Sequence, residues 1–222
     1  MMRRLVLVAV FLFLLAGIAG AVIDEEHRLT SAHWMPTAYT LNKGEILIGI
    51  GPLAYGVADK LEVGTNMLLD ILQILNISGK YNFVDGRNFA LAGNVSFQHF
   101  SLLDVNYNAL GIGANVSIPI NPKFKLHTGA SYVYIPDLDI EDEDFKGTSA
   151  IGSTIPLDFE YVMDAHNAIL GGAAYDITFE GFRVGASYLH SWQKFNLQLG
   201  GGFGSFAGYT LFMPTIGIWW RF

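Results

Sequence analysis

Apolar and polar side chains alternate along most of this chain. In the segment 77–83 the even positions carry Ser78, Lys80 and Asn82, and the odd positions carry Gly79 and three apolar residues. Successive side chains of a β-strand point to opposite faces of the sheet, so this period of two predicts a strand with one apolar face. Such runs recur to the end of the chain, and each is close to the ~10 residues that a tilted strand needs to cross a bilayer.

The recurring runs predict about twelve strands, with ten as the alternative count. The predicted strands cover residues 30–41, 44–57, 60–69, 76–84, 88–99, 105–120, 122–135, 148–163, 166–178, 181–192, 194–204 and 208–222. Five short turns, near 59, 86, 122, 165 and 192, would then lie at one end of the sheet, and the longest connection, 136–147, at the other. Residues 68–75 fit a short amphipathic helix as well as a strand extension.

Two features indicate that the apolar face points outward, to lipid. The opposite face is rich in Gly, Ala, Ser and Asn, which suits a tight polar lumen, and aromatic side chains such as Phe83, Phe89, Trp192 and Phe195 cluster near strand ends. Lipid does not tolerate an open sheet edge, so the predicted fold class is all-β, a closed antiparallel transmembrane β-barrel. The alternative, with apolar residues inside, is a soluble periplasmic ligand-binding barrel.

The first 21 residues carry the pattern of a secretory signal peptide. A basic start with Arg3 and Arg4 precedes an apolar run over 5–18, and small residues at 19–21 form a cleavage site. The run is shorter than the roughly 20 residues of a spanning helix, which disfavours an uncleaved anchor. The predicted organisation is therefore a signal peptide over 1–21 and one barrel domain over 22–222.

The end of the chain resembles a known protein class. Thr215, Gly217, Trp220 and Phe222 match the last-strand assembly signal of Gram-negative outer-membrane β-barrels, which has a polar residue, a glycine and two aromatics that end the protein. The resemblance implies a place in the bacterial outer membrane. It also implies the lipid bilayer, lipopolysaccharide and the barrel-assembly machinery as partners.

Composition excludes several other classes of protein. Hydrophobic residues make up 51% of the chain and charged residues only 15%, against about 25% charged in ordinary domains. The chain has no cysteine, which excludes a disulfide framework or a thiolate metal site. Its net charge of −7 lacks the basic footprint of a nucleic-acid-binding protein.

The polar strand faces carry a few charged residues that we expect inside the barrel. Charges removed from lipid must face inward and are expected to pair, so these residues are predicted to form a lumen charge network. An acid-base centre is the alternative hypothesis. The residues concerned are Lys80, Lys125, His127, Asp158, Glu160 and Arg183.

One pair of residues suggests hydrolysis. His99 and Ser101 are two positions apart, so on a strand they share a face, and the pair looks like the His-x-Ser arrangement of phospholipase and lipid A deacylase barrels. Chance alone produces roughly 0.3 such matches in a chain with this many His and Ser, so the match is not specific. It carries the alternative hypothesis of an outer-membrane lipid-modifying hydrolase.

The densest run of acidic residues falls in the predicted loop 136–147. It lacks the glycine and the terminal glutamate of a calcium-binding loop, so a solvated outer loop is the main interpretation and weak divalent-cation binding the alternative. The residues are Asp137, Asp139, Glu141, Asp142, Glu143 and Asp144. We expect no cofactor and no dedicated metal site.

These patterns together predict a non-catalytic outer-membrane barrel. Eight strands fill their own interior and sixteen to eighteen leave an aqueous channel, so twelve lie between these cases. The expected function is a narrow pore for small solutes or a structural surface protein.

Overall fold

The computed structural model describes residues 36–72, 74–102, 105–140, 148–178, 180–192, 194–206 and 209–222. These residues form twelve strands and one short helix, α1 (Met67–Ile71), and they include no helix long and apolar enough to span a membrane. The strands are β1 (Ile46–Gly49), β2 (Pro52–Ala58), β3 (Leu61–Asn66), β4 (Ile74–Asp85), β5 (Ala90–Leu102), β6 (Val105–Asn121), β7 (Phe124–Ile140), β8 (Thr148–Val162), β9 (Asn167–Asp176), β10 (Gly181–Trp192), β11 (Phe195–Phe206) and β12 (Tyr209–Arg221).

All twelve strands are joined into one closed barrel. Neighbours in sequence are antiparallel neighbours in the sheet, and β1 pairs with β12 to close the ring. The closing register sets Leu47 opposite Arg221, and the backbones of Ile46 and Phe222 exchange two hydrogen bonds of 3.0 and 2.9 Å. The predicted fold class and the count of twelve strands are confirmed.

The count of twelve is reached by a different division of the chain from the predicted one. Residues 36–41 of the predicted strand 30–41 are not a strand, and the remainder of that segment lies outside the described residues. The predicted strand 44–57 is two strands, because Gly51 turns the chain between β1 and β2 with a φ of 113°, which few other residues adopt. The two errors cancel in the count.

The segment 68–75, for which the sequence allows a helix or a strand extension, contains the end of a helix and the start of a strand. Asn66 caps α1 by accepting hydrogen bonds from the backbone N–H groups of Leu68 and Leu69, and β4 begins three residues after the helix ends. Leu69 is buried inside the barrel against Phe100 and Tyr107, whereas Ile71 is exposed. The helix thus buries one apolar side chain inside the barrel and leaves others exposed.

Strand β7 is longer than predicted. It continues through residues 136–140, which sequence analysis assigned to the long loop, and its last residues pair with β6 as Leu138 with Tyr107 and Ile140 with Val105. The extension is possible because β6 begins at Val105 and pairs with these residues beyond a register shift between Tyr107 and Leu110. The rest of the predicted loop, 141–147, lies outside the described residues.

The two faces of the sheet differ as a membrane barrel requires. Outward positions in the middle of the barrel carry exposed apolar side chains, among them Val95 and Ile112, which are neighbours on β5 and β6. Inward positions on the same strands, such as Asn94, Asn115 and Ser117, are polar and at least half-buried. An apolar exterior around a polar interior is the pattern of a transmembrane barrel and the reverse of a soluble one.

A charge on the outer face tests whether that face meets lipid. Ile112→Arg, near the middle of β6 where the side chain is 59% exposed, should lower the free energy of unfolding in phospholipid vesicles by about 2–4 kcal/mol, because the guanidinium is moved into hydrocarbon. Tyr209→Arg, at the end of β12, is the matched control and should cost about 0–1 kcal/mol. Urea titration in vesicles measures both, and equal costs at the two positions would contradict the membrane orientation.

Candidate functional site in the barrel interior

The interior of the barrel contains a stretch of the chain itself. Residues 36–42, which we call the inner segment, precede β1, and Thr37, Ala38 and Leu41 within them are buried almost completely. The backbone N–H of Ala38 donates to Ser117 Oγ at 2.8 Å, and the Ala38 carbonyl accepts from Asn82 Nδ2 at 2.9 Å. Because Asn82 and Ser117 project inward from β4 and β6, these contacts place the segment in the lumen.

Charged side chains of the wall hold the next part of the inner segment. Lys80 donates to the carbonyl of Tyr39, and the backbone N–H of Leu41 donates to Glu62 at 2.9 Å. Lys80 and Glu62 are themselves 4.0 Å apart, and the ammonium of Lys125 lies 4.5 Å from the centre of the Tyr39 ring. Hydrogen bonds to charged groups are the strong ones, and here they satisfy backbone groups that have left the sheet.

Apolar packing holds both ends of the inner segment. Ala38 packs against Ala90 and Ala92 of β5. Leu41 joins an inward-facing cluster that is drawn mostly from β1, β9, β10 and β12, whose other buried members are Leu47, Ala54, Ala168, Leu170, Leu189 and Trp219. Burying a leucine side chain contributes about 1.5–3 kcal/mol, so Leu41 is a substantial anchor.

A tight turn connects the inner segment to β1. The N–H of Glu45 donates to the carbonyl of Asn42 at 3.0 Å, and Gly44 has a φ of 84°, so residues 42–45 reverse the chain at the base of the barrel. Glu45 is fixed by Arg221 of β12, with a nitrogen-to-oxygen distance of 2.6 Å. Gly56 of β2 allows the close approach, because a Cβ there would lie 1.8 Å from the Asn42 carbonyl oxygen.

The structure places the six predicted network residues at inward positions. Lys80, Lys125, His127, Asp158 and Glu160 are buried, and Arg183 is half-buried. Across β7 and β8, Lys125 is the register partner of Glu160 and His127 is the partner of Asp158. His127 Nε2 lies 3.5 Å from Glu160 Oε2. Basic side chains of β7 therefore stand opposite acidic side chains of β8, and their role as a network stays a prediction.

Small residues make room for these charges. Asp158 is the register partner of Gly172 on β9, and a Cβ at Gly172 would lie 2.0 Å from Asp158 Oδ1. The carboxylate of Asp158 thus lies over the bare backbone of β9. Arg183 of β10 interacts with it electrostatically from the far side of that strand. The close approach of the Asp158 carboxylate explains why position 172, on the polar face of β9, is a glycine.

A serine, a histidine and a glutamate form a line that sequence analysis missed. Ser117 Oγ lies 2.8 Å from His127 Nδ1, and His127 Nε2 faces Glu160. All three are fully buried, and Ser117 Oγ also accepts the N–H of Ala38. Ala38 of the inner segment covers this hydroxyl, so in this structure the line supports the inner segment. The sequence does not reveal this line because it depends on the register of β6 on β7, which sets Ser117 opposite His127.

Of the other sequence candidates, His99 lies near the C-terminal end of β5. His99 Nδ1 is 2.9 Å from Asn108 Oδ1 on the outer face, and the side chain of Ser101 lies outside the described part of the structure, so the His-x-Ser hydrolase stays a hypothesis. The side chains of the acidic run from Asp137 to Asp144 also lie outside it. Within the described residues, no group of three or more His, Asp or Glu could hold a metal ion.

The four residues of the C-terminal resemblance divide between the two faces of β12. Trp220 and Phe222 are exposed on the outer face, while Thr215 and Gly217 point inward. The inward positions that follow them hold Trp219 and Arg221, which contact the inner segment's cluster and its turn. Recognition by the assembly machinery stays a prediction.

Comparison with known proteins identifies the fold and no closer relationship. No model of a known protein family matches the chain, and no curated protein sequence matches it. The solved structure of the KdgM porin in complex with disordered oligogalacturonate is similar at a TM-score of 0.52 and 11% identity, covering 80% of this chain and 96% of that one. The CymD monoaromatic hydrocarbon channel gives 0.45 and 8%, covering 80% and 73%. The outer membrane channel DcaP of Acinetobacter baumannii gives 0.42 and 11%, covering 77% and 61%. The chain shares its barrel fold with the KdgM porin.

Removing one interior cation tests whether the buried charges are coupled. Lys125→Met should lower the free energy of unfolding by about 3–5 kcal/mol. The reason is that it removes a cation opposite the buried carboxylate of Glu160, its register partner on β8. Lys123→Met, two residues away in the exposed turn, should change it by less than about 0.5 kcal/mol. Denaturant titration in detergent or vesicles compares the two variants, and equal small effects would contradict the coupling.

Proposed function

We propose that this chain is an outer-membrane β-barrel that passes small polar solutes through a narrow channel along its axis. The observation that carries the proposal is a closed barrel with an apolar exterior and charged groups on its inner wall. The fold that it shares with the KdgM porin supports the same function.

The inner wall favours a channel over a purely structural barrel. Apolar side chains of similar volume fill an interior at least as stably as buried ions do, so a barrel selected only for stability has no need of ions there. Asn82 Oδ1, Asp158 Oδ2 and Gln198 Oε1 are buried and have no hydrogen-bond partner among the described residues. A wall that carries so many charged and polar groups suits the passage of polar solutes.

The location in the outer membrane is supported from both ends of the chain. The predicted signal peptide over 1–21 directs export, and the last strand resembles the outer-membrane assembly signal. The lipid bilayer, lipopolysaccharide and the barrel-assembly machinery are the partners that this location implies. The barrel then works without a cofactor, and hydrolysis by His99 and Ser101 is the less favoured alternative.

Planar-bilayer recording tests the channel directly. The purified full-length protein should produce small discrete current steps and keep heat-modifiable migration on a gel. Recovery from cells without detergent would instead indicate a soluble barrel. Release of fatty acids from phospholipid or lipid A would indicate the hydrolase.

The ion selectivity of the current should depend on the interior carboxylates. Asp158→Asn should lower the ratio of cation to anion permeability, because a carboxylate on the inner wall favours cations. Asp164→Asn is the matched control in an exposed turn, where a hydrogen bond from the backbone N–H of His166 holds the pKa of that carboxyl below its usual value and keeps it charged. Reversal potentials in a salt gradient measure the ratio, and an equal shift in both variants would contradict an interior path.

A further inference from the structure

We propose that the inner segment, residues 36–42, is a releasable plug that closes this channel, and that the inner wall is its binding site. The inference rests on the proposed function, since a plug has meaning only in a conducting barrel. Three features of the structure support it: the path of the segment through the lumen, the side chains that bind it, and the closure of the barrel by β1 and β12 without it.

The inner segment runs through the bore along one half of the wall. Ala38 contacts β5 and β6 through Ala90, Ala92 and Ser117. The hydrogen bonds of Tyr39 and Leu41 go to Lys80 of β4 and Glu62 of β3. Leu41 belongs to an inward-facing cluster whose other members lie on β1, β2, β9, β10 and β12. Because this cluster is drawn from both sides of the ring, the segment and the side chains packed with it fill the lumen at this level.

The segment is held by side chains of the wall and not by the sheet. The backbone of Ala38, Tyr39 and Leu41 is bound by the side chains of Ser117, Asn82, Lys80 and Glu62. None of residues 36–41 belongs to a strand. Water can satisfy the same backbone groups, so these hydrogen bonds can be lost without breaking the sheet.

Release of the plug leaves the barrel closed. The ring is completed by β1 on β12, downstream of the inner segment, so no ladder hydrogen bond between strands is lost when residues 36–41 leave. The turn over residues 42–45 tethers the segment at the base of the barrel, with Gly44 at its centre and Glu45 fixed to Arg221. Displacement is therefore a swing about this turn.

A single methyl group should release the plug. Gly56→Ala puts a Cβ 1.8 Å from the Asn42 carbonyl oxygen, so β2 and Asn42, the last residue of the inner segment, must move apart. Gly79→Ala is the matched control on β4, where the added Cβ would meet atoms at 3.8 Å or more. Gly56→Ala should raise the mean bilayer current roughly tenfold, as expected when a closed state populated above 90% is lost. Gly79→Ala should behave as the unmodified protein.

The absence of cysteine in the chain permits a covalent lock. In the Gly56→Ala background, Ala38→Cys with Ala92→Cys should form a disulfide that returns the current to its low level, and a reductant should restore the high current. A water-soluble maleimide should label Ala38→Cys alone slowly, because Ala38 has no exposed surface, and roughly tenfold faster when Gly56→Ala is added.

The outcomes separate the plug from the channel. Fast labelling of Ala38→Cys in the otherwise unmodified protein, or equal currents in Gly56→Ala and Gly79→Ala, would overturn the plug while the channel stands. If Gly56→Ala speeds labelling but no variant conducts, the segment does dock in the lumen and the proposed channel is wrong. Heat-modifiable migration of every variant confirms that the barrel is folded.

Discussion

Closure of the barrel by β1 and β12 is the constraint on which the rest of the structure depends. In a bilayer no water reaches a sheet edge, so every backbone N–H and C=O group of the spanning strands must be paired within the protein. The short strand β1 supplies the closing contact, three register pairs that run from Leu47 opposite Arg221 to Gly49 opposite Trp219. Because β1 begins opposite the last residues of β12, the residues that precede β1 have no partner on that strand, and the turn at Gly44 directs them into the lumen.

The interior follows from that arrangement. Because lipid excludes charge from the outer face, the charged residues of the spanning strands are collected on the inner wall, where Lys80, Glu62 and Lys125 bind the incoming chain. Burial of these ions is expensive unless they find partners. The backbone and the aromatic ring of the inner segment are such partners, so the segment and the interior charges stabilise each other. The last strand contributes an aromatic side chain to each face of the sheet, with Trp220 facing lipid and Trp219 packing inside.

Much of the fold was predictable because alternation is a local property of the sequence. From β3 to β12 each predicted strand corresponds to an observed one, with ends that differ by a few residues. The errors fall where a non-local partner decides the outcome. The pattern predicts a strand over residues 36–41, yet β12 ends opposite the start of β1 and leaves them no partner there. Strand β7 extends to Ile140 because β6 is long enough to pair with it. The line from Ser117 through His127 to Glu160 was missed, since it depends on the registers of three strands.

The sequence by itself determined the barrel class, the outward and inward faces, and the identity of the six charged residues expected inside. Each of these follows from the period of two and from the cost of charge in lipid, which need no knowledge of neighbours in space. Only the tertiary structure decided that residues 36–42 lie in the lumen, and that the missing side chain of Gly56 leaves room for the Asn42 carbonyl. The physical reason is that their hydrogen bonds and packing come from β3 to β6 on one side and β9 to β12 on the other, and these strands face each other only after the ring has closed.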